Sequence, residues 1–263
     1  MQNALVAGTL IAIVSAVVGT FVVARRMSFL THTLSEIGFA GASFALFMSW
    51  SPLVGMLLFS VVASMTVGEL GIKEKRSESL ISAVSAVAIG LGIAFLSLSN
   101  KNATAATGIL FGSIFSISRV DVIEVVVLAL LVLLASLLMF RQLRHYAFDY
   151  DTAVFSLKNI QLIEVAFLGL MATTVAVSAQ IVGSLLIFIL MILPASAERP
   201  YDNSSLRKRW GRTVWQIIGL AVLFSVAGVW SALVLSYVLN LPVSFFIAII
   251  EAAIYFASLY KRN

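Results

Sequence analysis

Lys and Arg gather in every second gap between long apolar runs of this chain, and that alternation constrains the fold more than any other feature. A helix rising about 1.5 Å per residue needs roughly 20 apolar residues to cross a hydrocarbon core about 30 Å thick. About nine such runs are predicted, at approximately 3–24, 36–50, 53–71, 80–99, 120–140, 161–179, 182–198, 214–238 and 243–260. The second is short, and the stretch 103–118 is apolar but only marginally long enough, which makes it a candidate re-entrant segment. Alternate gaps hold Arg25 and Arg26; Lys73, Lys75 and Arg76; Arg141, Arg144 and Lys158; Arg199, Arg207, Lys208, Arg209 and Arg212; and Lys261 and Arg262. These are 15 of the 17 basic residues, and only Lys101 and Arg119 fall in the opposite gaps. Basic residues are retained on the cytoplasmic side of a membrane, so nine crossings predict an N-terminus outside and a C-terminus in the cytoplasm.

Composition removes the soluble alternatives. Hydrophobic residues make up 61% of the chain and charged residues 11%, with a mean hydropathy of +1.07, far from the values of soluble domains. In 263 residues there is no long hydrophilic stretch. The expected fold is therefore all-α, a polytopic helix bundle forming a single transmembrane domain over 1–263. The net charge of +5 is read as topogenic and lipid-facing rather than as a nucleic-acid footprint. Cysteine is absent, which leaves His, carboxylate, carbonyl and water as the only metal ligands. Met1-Gln2-Asn3 lacks the basic region of a cleaved signal, and the first run is expected to be retained. Gly38 and Gly41, Gly90 and Gly92, and Gly219 and Gly228 lie within the runs, as in bundles whose backbones approach closely.

The segment from Arg25 to Gly38 is the richest in polar chemistry. His32, one of two histidines, precedes Glu36 by four residues, so on a helix both face one space. Imidazole and carboxylate together suit a divalent first-row metal. Thr33-Leu34-Ser35-Glu36 also fits a capping box at a helix start, in which Glu36 would satisfy backbone donors instead. The residues alone leave both readings open.

A second rich segment runs from Arg141 to Lys158. Within it Tyr146 to Phe155 joins apolar anchors to two acids, which suits either docking of a cytoplasmic partner or an ordinary interfacial loop. His145 is expected at the surface of this basic loop. Glu69, Glu78, Glu124, Glu164, Glu198 and Glu251 are read as lying near span ends, where a side chain reaches the interface. Gln180 to Ser184 reads as a tight extracellular turn.

Several chemistries are excluded by what is missing. No Gly-x-x-x-x-Gly-Lys-Ser/Thr loop occurs, so any ATP-driven function needs a separate subunit, and no His-Glu-x-x-His occurs. Gly41-Ala42-Ser43 loosely resembles an intramembrane serine protease, but that chemistry needs a base within hydrogen-bonding distance, and with His145 expected in the cytoplasm His32 is the only other candidate.

Three separated motifs carry a family resemblance. Gly19 to Leu30, continuing through Leu34 to Gly41, resembles the metal-ion (manganese, zinc and iron) class of ABC importer permeases. Phe148-Asp149-Tyr150-Asp151-Thr152-Ala153 is similar to the family's cytoplasmic coupling segment, with Tyr150 where the family usually has Pro. Val182 to Leu186 and Leu193 to Ala197 resemble its late Val-Gly…Pro-Ala span. The resemblance implies a homodimeric permease bound to cytoplasmic ATPase subunits and fed by an extracellular metal-binding protein, with ATP only on the partner and no permanently bound cofactor. It implies metal handling by His32 and Glu36, in exchanged order relative to the family's Asp and His, and ATPase coupling through Phe148, Asp149, Asp151 and Ala153. The expected function is a transport subunit of the cell membrane, not itself an enzyme, that imports divalent metal by alternating access. The alternative is a secondary transporter of a small solute without an ATPase.

Overall fold

The computed structural model describes residues 2–73, 78–99, 108–112, 114, 117–156, 159–184, 186–197 and 214–260; side chains at 67–73, 78–80, 151 and 156 lie outside that description. Its described elements are all helical. They are α1 (Gln2–Ala24), α2 (Ser28–Phe47), α3 (Pro52–Lys73), α4 (Glu78–Leu98), α5 (Arg119–Leu138), α6 (Phe140–Phe148), α7 (Tyr150–Ser156), α8 (Ile160–Val182), α9 (Ile187–Ala197), α10 (Val214–Leu239) and α11 (Val243–Tyr260).

α1 and α8 form the centre of the bundle. Small residues and β-branched residues along α1, among them Ala4, Ala7, Ile11, Ala12, Val18 and Val22, are buried, and α1 packs against α5, α8, α9 and α10. α2 packs mainly on α3 and α4. Its crossing with α3 is set by Gly41 and Gly55: a Cβ on either would fall on the backbone carbonyl of the other, the close approach that only glycine permits between membrane helices. On the opposite side α9, α10 and α11 pack together. Leu130, Leu134 and Leu138 of α5 remain exposed, an apolar face suited to lipid.

Six helices among the described residues are long and apolar enough to cross a membrane, which supports a multi-pass membrane protein but not the expected count of about nine. The three shortfalls have different causes. α2 has the length, but its first half carries Thr31, His32, Thr33, Ser35 and Glu36, and it begins eight residues before the predicted second run. The apolar part of α3 is Pro52–Thr66, and α9 is only Ile187–Ala197. Helices packed against protein need less apolar surface than those facing lipid, so hydropathy undercounts or misplaces them. Of the candidate re-entrant stretch, residues 108–111 form a single helical turn, and Ile109 and Ile114 are buried; residues 103–107, 113, 115 and 116 lie outside the described residues. At the start of α5, Ser118 and Asp121 complete a reciprocal capping box, with Asp121 N–H donating to Ser118 Oγ at 3.2 Å and Ser118 N–H to Asp121 Oδ2 at 3.0 Å.

Candidate functional site

α1 and α2 are joined by a tight corner in which Arg26 adopts a φ of +56°, and α2 then carries His32 and Glu36 on successive turns. His32 Nδ1 lies 3.5 Å from Glu36 Oε2, with the histidine side chain 41% exposed and the glutamate 15%. The imidazole meets Phe188 of α9 edge-on, with ring centroids 5.4 Å apart. At metal–ligand distances of about 2.0–2.2 Å, donors separated by 3.5 Å subtend roughly 110° at a shared ion, near the tetrahedral value. Among the described residues no group of three or more His, Asp or Glu side chains gathers, so there His32 and Glu36 stand as a pair of candidate ligands.

The capping reading of this segment does not hold. α2 starts at Ser28 and its N-cap, Met27, makes no side-chain cap, so Thr33 to Glu36 sit inside the helix. There the hydroxyls find other acceptors: Thr33 Oγ1 donates to the Phe29 carbonyl at 3.3 Å, and Ser35 Oγ donates to the carbonyl of Ser184. The second bond ties the site helix to the break between α8 and α9. That break is not a simple turn. Gly183 (φ +99°) and Gly112 (φ +74°) lie back to back, each leaving no room for a Cβ against the backbone of the other segment, and Ser184 N–H donates to the Ile109 carbonyl at 3.0 Å. The 108–112 turn is thereby docked beside the helix that holds the candidate ligands.

At the C-terminal end of α1, beside the same corner, stands the element expected to face a partner. It is two short helices rather than an interfacial loop, with His145 half-buried on the first. Asp149 separates them; its N–H donates to the His145 carbonyl at 3.0 Å and its carbonyl accepts from Ala153 N–H at 2.9 Å, and Asp149 is exposed. Ala153 is fully buried, whereas Phe148 is 37% and Phe155 92% exposed. The Asp151 side chain lies outside the described residues. Phe21 of α1 meets Phe140 and Phe148 edge-on at 6.1 and 6.3 Å.

Two features escaped the sequence. Arg25, counted there as a topogenic charge and within the family motif, places its guanidinium 4.3 Å from the centroid of Tyr146 and 4.0 Å from that of Tyr150; the contact with Tyr146 spans 121 residues, so no local pattern signals it. Glu251, read as a span-end residue, is instead fully buried in mid-α11, and neither of its carboxyl oxygens has a hydrogen-bond partner among the described residues.

Comparison with known proteins places these features in a family frame. The family model described as "ABC 3 transport family" matches residues 1–262. The chain is 24% identical over 261 residues to the high-affinity zinc uptake system membrane protein ZnuB of Haemophilus influenzae, covering 99% of this chain and 97% of that one. It is 26% identical over 258 residues to the manganese transport system membrane protein MntC of Listeria monocytogenes, covering 97% and 88%. Among solved structures it superposes on PsaBC from Streptococcus pneumoniae, determined in complex with Fab, with a TM-score of 0.81 at 23% identity, covering 98% of this chain and 90% of that chain.

Proposed function

The chain belongs to the ABC 3 transport family, and on that premise we propose how its parts divide the work of an importer. It is the membrane-spanning permease subunit of a divalent metal-ion importer, and ATP hydrolysis falls to a separate ATPase subunit. Relatives that span nearly its whole length are named as zinc and manganese transport membrane proteins, and the chain itself has no phosphate-binding loop. The single 263-residue domain works as a homodimer, with an extracellular metal-binding protein delivering the ion and α7 meeting the ATPase in the cytoplasm. The N-terminus lies outside.

The cation crosses at His32 and Glu36. The observation that carries this is their 3.5 Å approach on a half-open face of α2. Two donors from one chain bind a first-row ion weakly, and two copies meeting on this face supply two imidazoles and two carboxylates, a donor set that suits such an ion. Weak holding by each half is what release demands, since a transport site must let its ion go. For coupling, the exposed Asp149, Phe148 and Phe155 offer a partner mixed apolar and acidic contact, while Ala153 seats the helix on the bundle and Asp151 belongs to the same short segment.

The test is transport by the complex. Permease purified with its ATPase and reconstituted in liposomes, with the metal-binding protein on the opposite side from the ATPase, should accumulate Mn²⁺ or Zn²⁺ only when ATP is supplied on the ATPase side. Replacing Asp149 and Asp151 with Ala should leave the permease inserted and reduce ATPase binding or metal-coupled hydrolysis. Metal flux without any ATPase would instead favour a secondary transporter.

A further inference from the structure

We propose that Arg25 is the positioning residue through which the α6–α7 element moves the metal-handling helix. The inference rests on the permease reading above and adds a residue to it. Arg25 closes α1, and only Arg26 and Met27 separate it from the start of α2. Its guanidinium lies over Tyr146 of α6 at 4.3 Å and over Tyr150, the first residue of α7, at 4.0 Å. Nη2 also donates to the Tyr146 hydroxyl at 3.5 Å. One cation therefore touches both short helices across the Asp149 joint.

The surroundings make this contact stiff. Tyr146 is fully buried and packs against Tyr150 and Phe167, so its ring cannot yield to solvent. Among the described residues Arg25 has no carboxylate partner, and its Nε is buried without an acceptor. The charge is thus met by ring faces, which attract a cation from above but impose no single hydrogen-bond geometry. Such a joint transmits a tilt or a slide of α7 while tolerating small changes of angle. Phe21, one turn earlier, packs edge-on against Phe140 and Phe148 and acts as a second peg. On the other side of the corner Met27 is buried and Thr31 N–H donates to its carbonyl at 3.3 Å, so displacement of Arg25 is passed into the first turn of α2. His32 follows in the next turn.

The experiment compares Arg25→Ala, Arg25→Lys, Tyr150→Leu and Tyr150→Phe in the reconstituted permease–ATPase complex, supplied with MnCl₂. Ions moved per ATP hydrolysed are measured together with the MnCl₂ concentration for half-maximal transport and the ATPase content of the complex. Arg25→Ala and Tyr150→Leu should lower the ions moved per ATP roughly tenfold, within the range of mutations that weaken coupling between sites, with half-saturation and ATPase content unchanged. Arg25→Lys and Tyr150→Phe, which keep a cation and a ring, should retain most of the ratio. If Arg25→Ala does not assemble, the two Tyr150 variants decide. An unchanged ratio in Tyr150→Leu, or an equal fall in Tyr150→Leu and Tyr150→Phe, overturns the proposal. Absence of Mn²⁺ and Zn²⁺ transport by the unaltered complex would instead strike at the permease reading itself.

Discussion

The carboxylate of Glu251 in α11 lies directly against the α-carbon of Gly228 in α10, in the position a side chain at 228 would need. A Cβ at 228 would force the end of the Glu251 side chain to shift, so the two residues are coupled. Gly228→Ala should therefore lower the thermal stability of the purified protein by about 1 kcal/mol, the low end of the usual cost of overpacking, since only the end of a side chain has to move. In a Glu251→Ala background the same change should cost much less, because its methyl group then enters vacated space. Thermal unfolding of the four variants in detergent gives the coupling directly, and an equal cost of Gly228→Ala in both backgrounds would contradict it.

Removal of either candidate ligand should reduce metal uptake without loss of the folded protein. His32→Ala and Glu36→Gln each delete a donor from a pair 3.5 Å apart, and a fall of at least about tenfold is expected, the scale seen when metal-site partners are removed. Neither residue caps a helix, since α2 begins at Ser28, so stability should move little. Uptake of radioactive Mn²⁺ or Zn²⁺, normalised to permease content in the membrane, measures the effect; wild-type flux in both variants would leave the pair without a transport role.

Much of the fold was legible because hydropathy reports long, uniformly apolar helices, whether they face lipid as α5 does or lie at the bundle centre as α1 and α8 do. α1, α5, α8, α10 and α11 coincide with predicted runs within a few residues. α2 did not, because its polar half packs against protein, where Thr33 and Ser35 satisfy their hydroxyls on carbonyls of Phe29 and Ser184. In sequence the same hydroxyls mimic a helix start. The spacing of His32 and Glu36 was visible as an i, i+4 pair. The Arg25–Tyr146 contact spans 121 residues, and no local pattern pairs an arginine with a distant ring. Glu251 was misplaced for a related reason: its room comes from Gly228 on another helix, which only the packing reveals.

Topology rests on the 15-to-2 distribution of basic residues and yields a labelling experiment. The chain has no cysteine, so single cysteines at Ser156, which ends α7, and at Ser204 are clean probes. Both positions are expected in the cytoplasm. In intact cells they should resist a membrane-impermeant thiol reagent and react once the membrane is opened; reaction of both from outside would reverse the orientation.

Gly183 links backbone conformation to the site most directly. Its φ of +99° is one that side-chain-bearing residues rarely adopt, and a Cβ would collide with the Leu110 carbonyl and the Phe111 backbone. Gly183→Ala should cost about 1–3 kcal/mol from conformation alone, with the collision adding to it. Relief requires the 108–112 turn or the α8–α9 break to shift, and Ser184, whose carbonyl accepts from Ser35, is the next residue. That shift reaches α2 one residue from Glu36. Gly183→Ala should therefore lower metal uptake beyond its loss of folded protein, whereas Gly169→Ala, at a helical glycine with open space around it, should preserve both. Uptake per folded permease separates the two effects, and an unchanged value in Gly183→Ala would mean that the break supports the bundle without positioning the ligands.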